Sequence, residues 1–181
     1  MELIARRLEP GEWPEAARVV ARSLHESLAS LYPDPAAERL VALYERYEGL
    51  PTEGGVAVGV FGRGHVLGAA RAVPYASCPC RYELPVDSHQ ATRDYQAFLL
   101  ANHPNRRHWF VGPVGVEPGL QGTGIGTEVM QELMRSIAGA GLVCVETEDH
   151  NVAFYERVGF RPTLRTPAPD GVPITFLEAQ V

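Results

Sequence analysis

The chain contains no lysine, and all 16 of its basic residues are arginine. A phosphate-binding P-loop requires Gly-x-x-x-x-Gly-Lys followed by Ser or Thr, because the lysine reaches the terminal phosphates of the nucleotide. The absence of lysine therefore excludes a P-loop nucleotide site. We attribute the exclusive use of arginine to genome composition rather than to a mechanism.

Long apolar runs and cysteines are also scarce. No apolar run reaches the roughly 18 residues of a membrane span, and the N-terminal residues lack the order of a signal peptide. The three cysteines include Cys78 and Cys80, which have only one residue between them, and no nearby second pair completes a zinc site. We therefore predict a cytoplasmic protein with free thiols, no metal and no membrane partner.

The charge and the length restrict the function further. A net charge of −6 argues against a nucleic-acid partner and mildly favours a cationic acceptor. With 181 residues, of which 45% are hydrophobic, the chain is long enough for a substantial core. We expect one domain over residues 1–181, in which residues 74–104 form an insert on the acceptor side.

The most informative stretch is residues 109–126, which the pattern predicts to be a strand, a loop and the start of a helix. Its strand residues are aromatic or β-branched, as buried strands require. They are Trp109, Phe110, Val111, Val114 and Val116. Gly112 and Pro113 interrupt the strand, and because proline cannot donate to a ladder, we expect a bulge or a splayed edge there.

A buried helix is predicted after this strand, since apolar residues recur at every fourth position from Ile125 to Ile137. It should end at Gly139-Ala140-Gly141. The glycines before and within its first turn leave room for an anion at the helix N-terminus, which favours a phosphate or pyrophosphate. The alternative is a tight strand–helix turn that needs glycines for packing. A dinucleotide-binding Gly-x-Gly-x-x-Gly fingerprint does not fit this spacing.

The segment Gln121-Gly122-Thr123-Gly124-Ile125-Gly126 resembles the Gln/Arg-x-x-Gly-x-Gly/Ala pyrophosphate loop of the GNAT family of N-acetyltransferases. Residues 146–160, with Asn151, Phe154-Tyr155 and Gly159-Phe160, resemble the next conserved block of that family. The Leu-Gln-Gly-x-Gly-Ile-Gly and Glu-Thr sequences are closest to puromycin acetyltransferase-like members. The resemblance implies an α/β fold with a mixed, mostly antiparallel sheet of about seven strands, a splayed parallel pair and helices on both faces.

The resemblance also implies an activity, in which an acyl group passes from acetyl-CoA directly to a primary amine of a small molecule or peptide in a ternary complex. It implies a set of cofactor-binding residues along the strand, the loop and the second block. They are Val114, Val116, Gln121, Gly122, Thr123, Gly124, Ile125, Gly126, Thr127, Asn151 and Phe154. The thioester carbonyl would meet a backbone N–H at Val116 or Gly115. A non-catalytic acyl-CoA-binding sensor on the same fold is the alternative, and a homodimer is left open.

Two residues are the catalytic candidates. Tyr155 matches the tyrosine that protonates the departing thiolate in the family, although packing beside Phe154 is its alternative role. Glu146 ends a predicted buried strand, and burial makes a carboxylate a better base. Its alternatives are a bond to backbone or arginine, or the end of a water chain. His108 has a suitable side chain for a base, but we expect it to lie far from the reacting groups.

Strands are predicted at 2–8, 56–61, 66–73, 142–147, from Phe160 and at 172–179, with helices at 12–30, 35–48, 87–101 and 149–158. In the resembled family the first helix pair borders the acceptor site. Its polar aromatic side chains are therefore candidates for that pocket, with a place at the core edge as the alternative. They are His25, Tyr32, Tyr44 and Tyr47.

Overall fold

A computed structural model describes residues 2–25, 54–78, 81 and 90–181. The predicted helix at 35–48 and the tyrosines at 32, 44 and 47 lie outside these residues. Seven strands are present in the described part of the chain. Their bounds are β1 Ile4–Arg7, β2 Val56–Gly62, β3 His65–Pro74, β4 Trp109–Val116, β5 Leu142–Glu148, β6 Arg161–Pro167 and β7 Pro173–Gln180.

The seven strands form one sheet in the order β1-β2-β3-β4-β5-β7-β6. Five of its six neighbouring pairs are antiparallel, and the exception is the parallel pair β4–β5. That pair is in register only at Trp109 with Val143 and at Phe110 with Cys144. The predicted mixed sheet with a splayed parallel pair is therefore confirmed.

Four helices are described, and they cover both faces of the sheet. Their bounds are α1 Trp13–Ser23, α2 Gln90–Asn102, α3 Ile125–Ser136 and α4 Asp149–Arg157. α3 and α4 pack with Val58, Val60 and Val143 on one face. α1 packs on the opposite face against Phe61 and Val66. α2 packs further along that same face, against Phe110 and Phe176.

The buried stripe of α3 lies where its fourfold spacing predicts. Val129 and Leu133 are fully buried, and Ile137, which is also buried, directly follows the last helical residue. Gly139 and Gly141 follow with positive φ angles of 83° and 84°. The glycines after Ile137 thus stop the helix in the left-handed conformation that glycine adopts most easily.

Within the described ranges, every helix is too short or too polar to span a lipid bilayer. The cysteines at 78 and 144 are buried and are not joined in a disulfide. The third cysteine, Cys80, lies outside the described part.

Candidate active site

The middle of the central strand β4 departs from regular pairing with β3. The register of the two strands shifts between Ala70 and Ala72, which pair with Val114 and Val111. Gly112 and Pro113 therefore stand opposite the single residue Arg71, as the proline in this strand led us to expect. The bulge turns β4 away from β5 just beyond their last paired residues, and a gap opens between the two strands.

The edge of β4 that faces away from β3 beyond the bulge carries backbone donors. Glu117 N–H points to β3, where it donates to the Leu67 carbonyl at 2.9 Å. Val116 N–H points the other way and donates to Ser23 Oγ at 3.2 Å. Because successive N–H groups of a strand alternate between its two edges, Val114 shares the edge of Val116, while Gly115 faces β3.

Ser23 is a site residue that the sequence analysis missed. It ends α1, and its hydroxyl also lies 3.5 Å from Gln121 Nε2, which donates to it. One hydroxyl thus connects β4 to the glycine loop. A Cβ on Gly115 would lie 2.6 Å from Val20 Cα, so glycine at 115 is what allows α1 to approach β4 this closely.

The predicted pyrophosphate loop leads directly into α3. Gly122 and Gly124 have φ angles of 74° and 95°, which L side chains rarely adopt. Thr123 holds the loop together, because its Oγ1 donates to the Leu120 carbonyl at 2.6 Å. Residues 121–124 are exposed. The loop therefore presents the N-terminal end of α3 to solvent.

At that end, Gly124 precedes the first helical residue and has no side chain that could cap the helix. The first N–H groups of α3, at Ile125, Gly126 and Thr127, have no partner within the helix. They point toward the loop side and carry the partial positive charge of the helix dipole. This arrangement is suited to an anion, as the sequence predicts for these residues.

Gly126 has a different role from the loop glycines. A Cβ at this position would lie 3.3 Å from Phe154 Cε2 and 3.6 Å from a Val116 side-chain carbon. Glycine here lets α4 approach the first turn of α3. The predicted site residues Phe154, Gly126 and Val116 are thus brought together in one wall beside the loop.

α4 supplies the remaining residues of the resembled block. Its N-cap is Glu148, so Asn151 lies within the first turn of the helix and is half-buried. The residue that caps this helix is therefore Glu148 and not Asn151. The proposed role of Asn151 beside the cofactor stays a prediction.

Tyr155 lies deeper than the other residues of this wall. Its ring packs edge-on against Phe154 at 5.0 Å and Phe160 at 5.8 Å between centroids. Burial raises the pKa of the Tyr155 hydroxyl well above its ordinary value, and the nearby Glu146 carboxylate raises this pKa further. The phenol therefore keeps its proton throughout the neutral range, so it can donate a proton but cannot serve as a base. The packing contacts of its alternative role are also present.

Glu146 lies on β5 at the gap, with its side chain 13% exposed. Its Oε2 atom is buried and has no hydrogen-bond partner among the described residues. Its close polar neighbour is His103 Nε2, at 3.5 Å. In the described ranges this carboxylate has no ion pair with an arginine, which was one of its predicted alternatives.

His103 follows α2 and was not singled out from the sequence. Its side chain is only 4% exposed, and its Nδ1 lies 3.5 Å from Cys78 Sγ. His108 packs against it, with 5.7 Å between the ring centroids. We expected His108 to lie far from Glu146, but the structure connects the two through His103. The His-x-x-x-x-His spacing directly before a buried strand is a signal that was available in the sequence.

The described part of the acceptor side is limited. His25 follows α1 and is exposed, so it is not part of a closed pocket in the described residues. Tyr95 and Phe98 of α2 pack against the cluster of Leu99 and Phe110, on the face opposite α3. α2 therefore covers the same face as α1, on the other side of the β4–β5 gap.

Three solved structures show that this fold is shared with acetyltransferases. The structure of histone acetyltransferase HPA2 and related acetyltransferase from Corynebacterium glutamicum has 21% identity and a TM-score of 0.71, over 100% of this chain and 98% of that one. Drosophila melanogaster polyamine N-acetyltransferase has 16% identity and a TM-score of 0.70, over 99% and 100%. PaiA N-acetyltransferase from Thermoplasma acidophilum, solved with coenzyme A, has 12% identity and a TM-score of 0.62, over 100% of both chains.

The fold and the strand–loop–helix site thus define an acetyltransferase class. The model of the acetyltransferase (GNAT) family matches residues 21–160, which is more than half of the chain. The protein belongs to this family. The family predicted from the glycine loop and from residues 146–160 is therefore confirmed, and acyl transfer is supported as its class of activity.

Proposed function

We propose that the protein is an acetyl-CoA-dependent N-acetyltransferase that acts on a primary amine of a small molecule or peptide. The observation that carries this proposal is the gap between β4 and β5, which begins beyond Phe110 and Cys144. A thioester lying in that gap would reach a backbone edge on one side and a buried carboxylate on the other. Direct attack by the amine in a ternary complex needs no covalent nucleophile, and it fits these groups.

The cofactor side is the better defined half of the proposal. The pyrophosphate of acetyl-CoA would bind at the N-terminus of α3, where the loop glycines leave its N–H groups accessible. The pantetheine arm would follow the exposed edge of β4 at Val114 and Val116, with Asn151 and Phe154 on the opposite wall. Ser23 already occupies the Val116 N–H, so the thioester carbonyl would either displace that hydroxyl or use Val114.

Proton transfer is assigned to two groups on opposite sides of the gap. The amine must lose a proton before it attacks, and Glu146 is the buried base at hand, with His103 3.5 Å away to stabilise its charge or pass on the proton. The departing thiolate must gain a proton, and Tyr155 holds one across the neutral range. A raised pKa makes Tyr155 a weak acid, so we expect its contribution to be modest.

The acceptor is proposed to be a small amine. The net charge of −6 favours a cationic substrate over an acidic one. Drosophila polyamine N-acetyltransferase forms N-acetylagmatine, and agmatine is a small cation of this kind. We take the chain as one cytoplasmic domain with the acceptor entering on the face of α1 and α2, as the sequence predicts.

The deciding experiment measures thiol release from acetyl-CoA against a panel of amines. The panel contains agmatine and polyamines, aminoglycosides, a puromycin-like nucleoside, amino acids and short peptides. Release with one class establishes the enzyme and identifies its acceptor. Release with the puromycin-like nucleoside alone would support the subfamily predicted from the loop.

Thermal unfolding with acetyl-CoA, NAD and ATP is the matched control. A ligand that binds only the folded state raises the melting temperature, and we expect this from acetyl-CoA alone. Stabilisation by acetyl-CoA with no thiol release from any amine would favour the sensor. Stabilisation by NAD or ATP instead would overturn the proposal.

A further inference from the structure

A thiol and two imidazoles from two separate parts of the chain meet on the α2 face of the sheet. They belong to Cys78, His103 and His108, and one ligand atom of each lies within 4.8 Å of those of the other two. Cys78 is fully buried and His108 is 2% exposed. We infer from this geometry a binding site for Zn²⁺, formed by Cys78 Sγ, His103 Nδ1 and His108 Nε2.

The distance between the thiol and one of the imidazoles agrees with zinc coordination. Zinc binds thiolate sulfur at about 2.3 Å and imidazole nitrogen at about 2.0–2.1 Å, which places two such ligands of a tetrahedron about 3.6 Å apart. The distance between Cys78 Sγ and His103 Nδ1 is 3.5 Å. A mixed thiolate and imidazole set favours zinc over magnesium or calcium, which prefer oxygen ligands.

Each histidine also has an acceptor on its other nitrogen. His108 Nδ1 donates to the Arg106 carbonyl at 2.8 Å, which leaves the lone pair of the neutral ring on Nε2. His103 Nε2 faces the Glu146 carboxylate at 3.5 Å, which leaves its lone pair on Nδ1, toward Cys78. Metal-binding histidines typically have such an acceptor, because it fixes the ring orientation and the tautomer.

Charge balance gives a second, independent argument. The surrounding side chains are apolar and include Leu99, Phe110 and Phe176, so an isolated charge there would be costly. Zn²⁺, one thiolate and the Glu146 carboxylate sum to zero. A bound cation would thus compensate a carboxylate whose Oε2 has no hydrogen-bond partner among the described residues.

The ligands also suggest what the metal would do. Cys78 follows β3, His103 follows α2 and His108 immediately precedes β4, so the three bracket residues 79–102. A metal would fasten both ends of that segment to the sheet and hold His103 against Glu146. This role is structural and does not depend on the proposed acetyl transfer.

The test is a titration of the metal-free full-length protein with Co²⁺, which reports on thiolate ligation through a sulfur-to-cobalt charge-transfer band. We expect the band to saturate at one equivalent and to disappear on addition of Zn²⁺. Cys78→Ser should abolish the band. Cys144→Ser is the matched control, since Cys144 is a second buried thiol of the same apolar cluster and should leave the band intact.

Two further variants distinguish a residue that binds the metal from a residue that only positions a ligand. His108→Gln should remove the site, whereas Glu146→Gln should keep the band and weaken Zn²⁺ binding by roughly tenfold to a hundredfold. Absence of a band in the wild type, or a band that survives Cys78→Ser, would overturn the inference and leave a hydrogen-bonded thiol and imidazole. If Cys78→Ser does not fold, the wild-type titration and His108→Gln still decide.

Discussion

The two sides of the β4–β5 gap are constructed in opposite ways. On one side, residues 109–126 form a strand, a loop and a helix start that are continuous in sequence. On the other side, Cys78, the neighbouring His103 and His108, and Glu146 come from three separate places and meet only because the sheet is folded. The first side can be recognised in the sequence as a motif. The second side can be recognised only in the folded structure. The side that we propose for the cofactor is thus set by local backbone geometry, and the side that we propose for the acceptor is set by the topology of the sheet.

The comparison is tested most strongly by Glu146→Gln, for which we expect the largest effect. The amide keeps the size of the side chain and removes the base, so kcat should fall roughly a hundredfold to a thousandfold. Coenzyme A affinity, measured by calorimetry, should stay unchanged because the loop is untouched. Glu148→Gln, two residues further on, is the control. An unchanged kcat across the pH range would remove Glu146 from the mechanism.

The second effect in size is expected for Gly115→Ala, which tests how closely the cofactor side is packed. A new Cβ would lie 2.6 Å from Val20 Cα, which is backbone and cannot rotate away. We expect the free energy of unfolding to fall by about 2–3 kcal/mol, as measured by denaturant titration. Gly119→Ala has no atom within 4 Å of the new Cβ and should change stability little. Equal stability of the two variants would show that α1 is not held against β4 in this way.

Much of the fold follows from the sequence because local signals and tertiary packing agree there. The bulge at Gly112 and Pro113, the stripe from Ile125 to Ile137 and the glycines that end α3 each follow from the covalent properties of those residues. The predicted strands are present with boundaries that differ by one or two residues, since strand ends depend on the neighbouring strand.

Only half of the candidate site can be predicted from the sequence, because local signals are present in one half and not in the other. The loop residues from Gln121 to Gly126 are consecutive in the sequence, so they can be recognised as a motif. Ser23 has no such signal, and the spacing of His103 and His108 does not indicate Glu146 as their neighbour. The packing of α1 and α2 on the sheet brings Ser23 and His103 to the site. Cys78 has no local zinc signal either, because the two histidines that lie beside it in the fold are 25 and 30 residues further along the chain.

Gly124→Ala addresses the loop itself, with an intermediate effect. The φ angle of 95° is strained for alanine, so the N-terminus of α3 should shift and the affinity for coenzyme A should fall by about tenfold. Gly139→Ala is a matched control, since Gly139 has a φ of 83° and open space around it after the other end of the same helix. Both variants should lose about 1 kcal/mol of stability, and only Gly124→Ala should bind coenzyme A more weakly. Equal affinities would mean that the loop does not bind the cofactor.

Tyr155→Phe tests whether turnover depends on the hydroxyl of Tyr155 or only on the packing of its ring between the two sides of the gap. Phenylalanine keeps the contacts with Phe154 and Phe160 and removes only the proton donor. Since a phenol with a raised pKa is a weak acid, we expect kcat to fall by about tenfold or less, with an unchanged melting temperature. A variant with full turnover would assign Tyr155 to packing alone.

The smallest effect is expected far from both sides, at the ion pair between Arg6 of β1 and Glu12. Its atoms Arg6 Nη2 and Glu12 Oε1 are 2.6 Å apart, and both side chains are partly exposed. The hydrogen bond from Arg6, together with that from the Glu9 N–H, lowers the pKa of Glu12 from its ordinary value of 4.5 to about 2. Because the folded-state pKa is the lower one, the pair stabilises the fold above about pH 4.5 and loses this contribution as the pH falls toward 2.

Glu12→Gln should therefore lower the free energy of unfolding by less than about 1 kcal/mol near neutral pH. The difference from the wild type should shrink in acid, because protonation removes the same interaction in the wild type. Denaturant titrations at about pH 7 and about pH 3 measure this, with Glu156→Gln, an exposed change on α4, as the control. Neither variant should alter coenzyme A affinity or kcat. A change in either would mean that the two sides of the gap depend on the far edge of the sheet, and that the division between a local and a topological half is too simple.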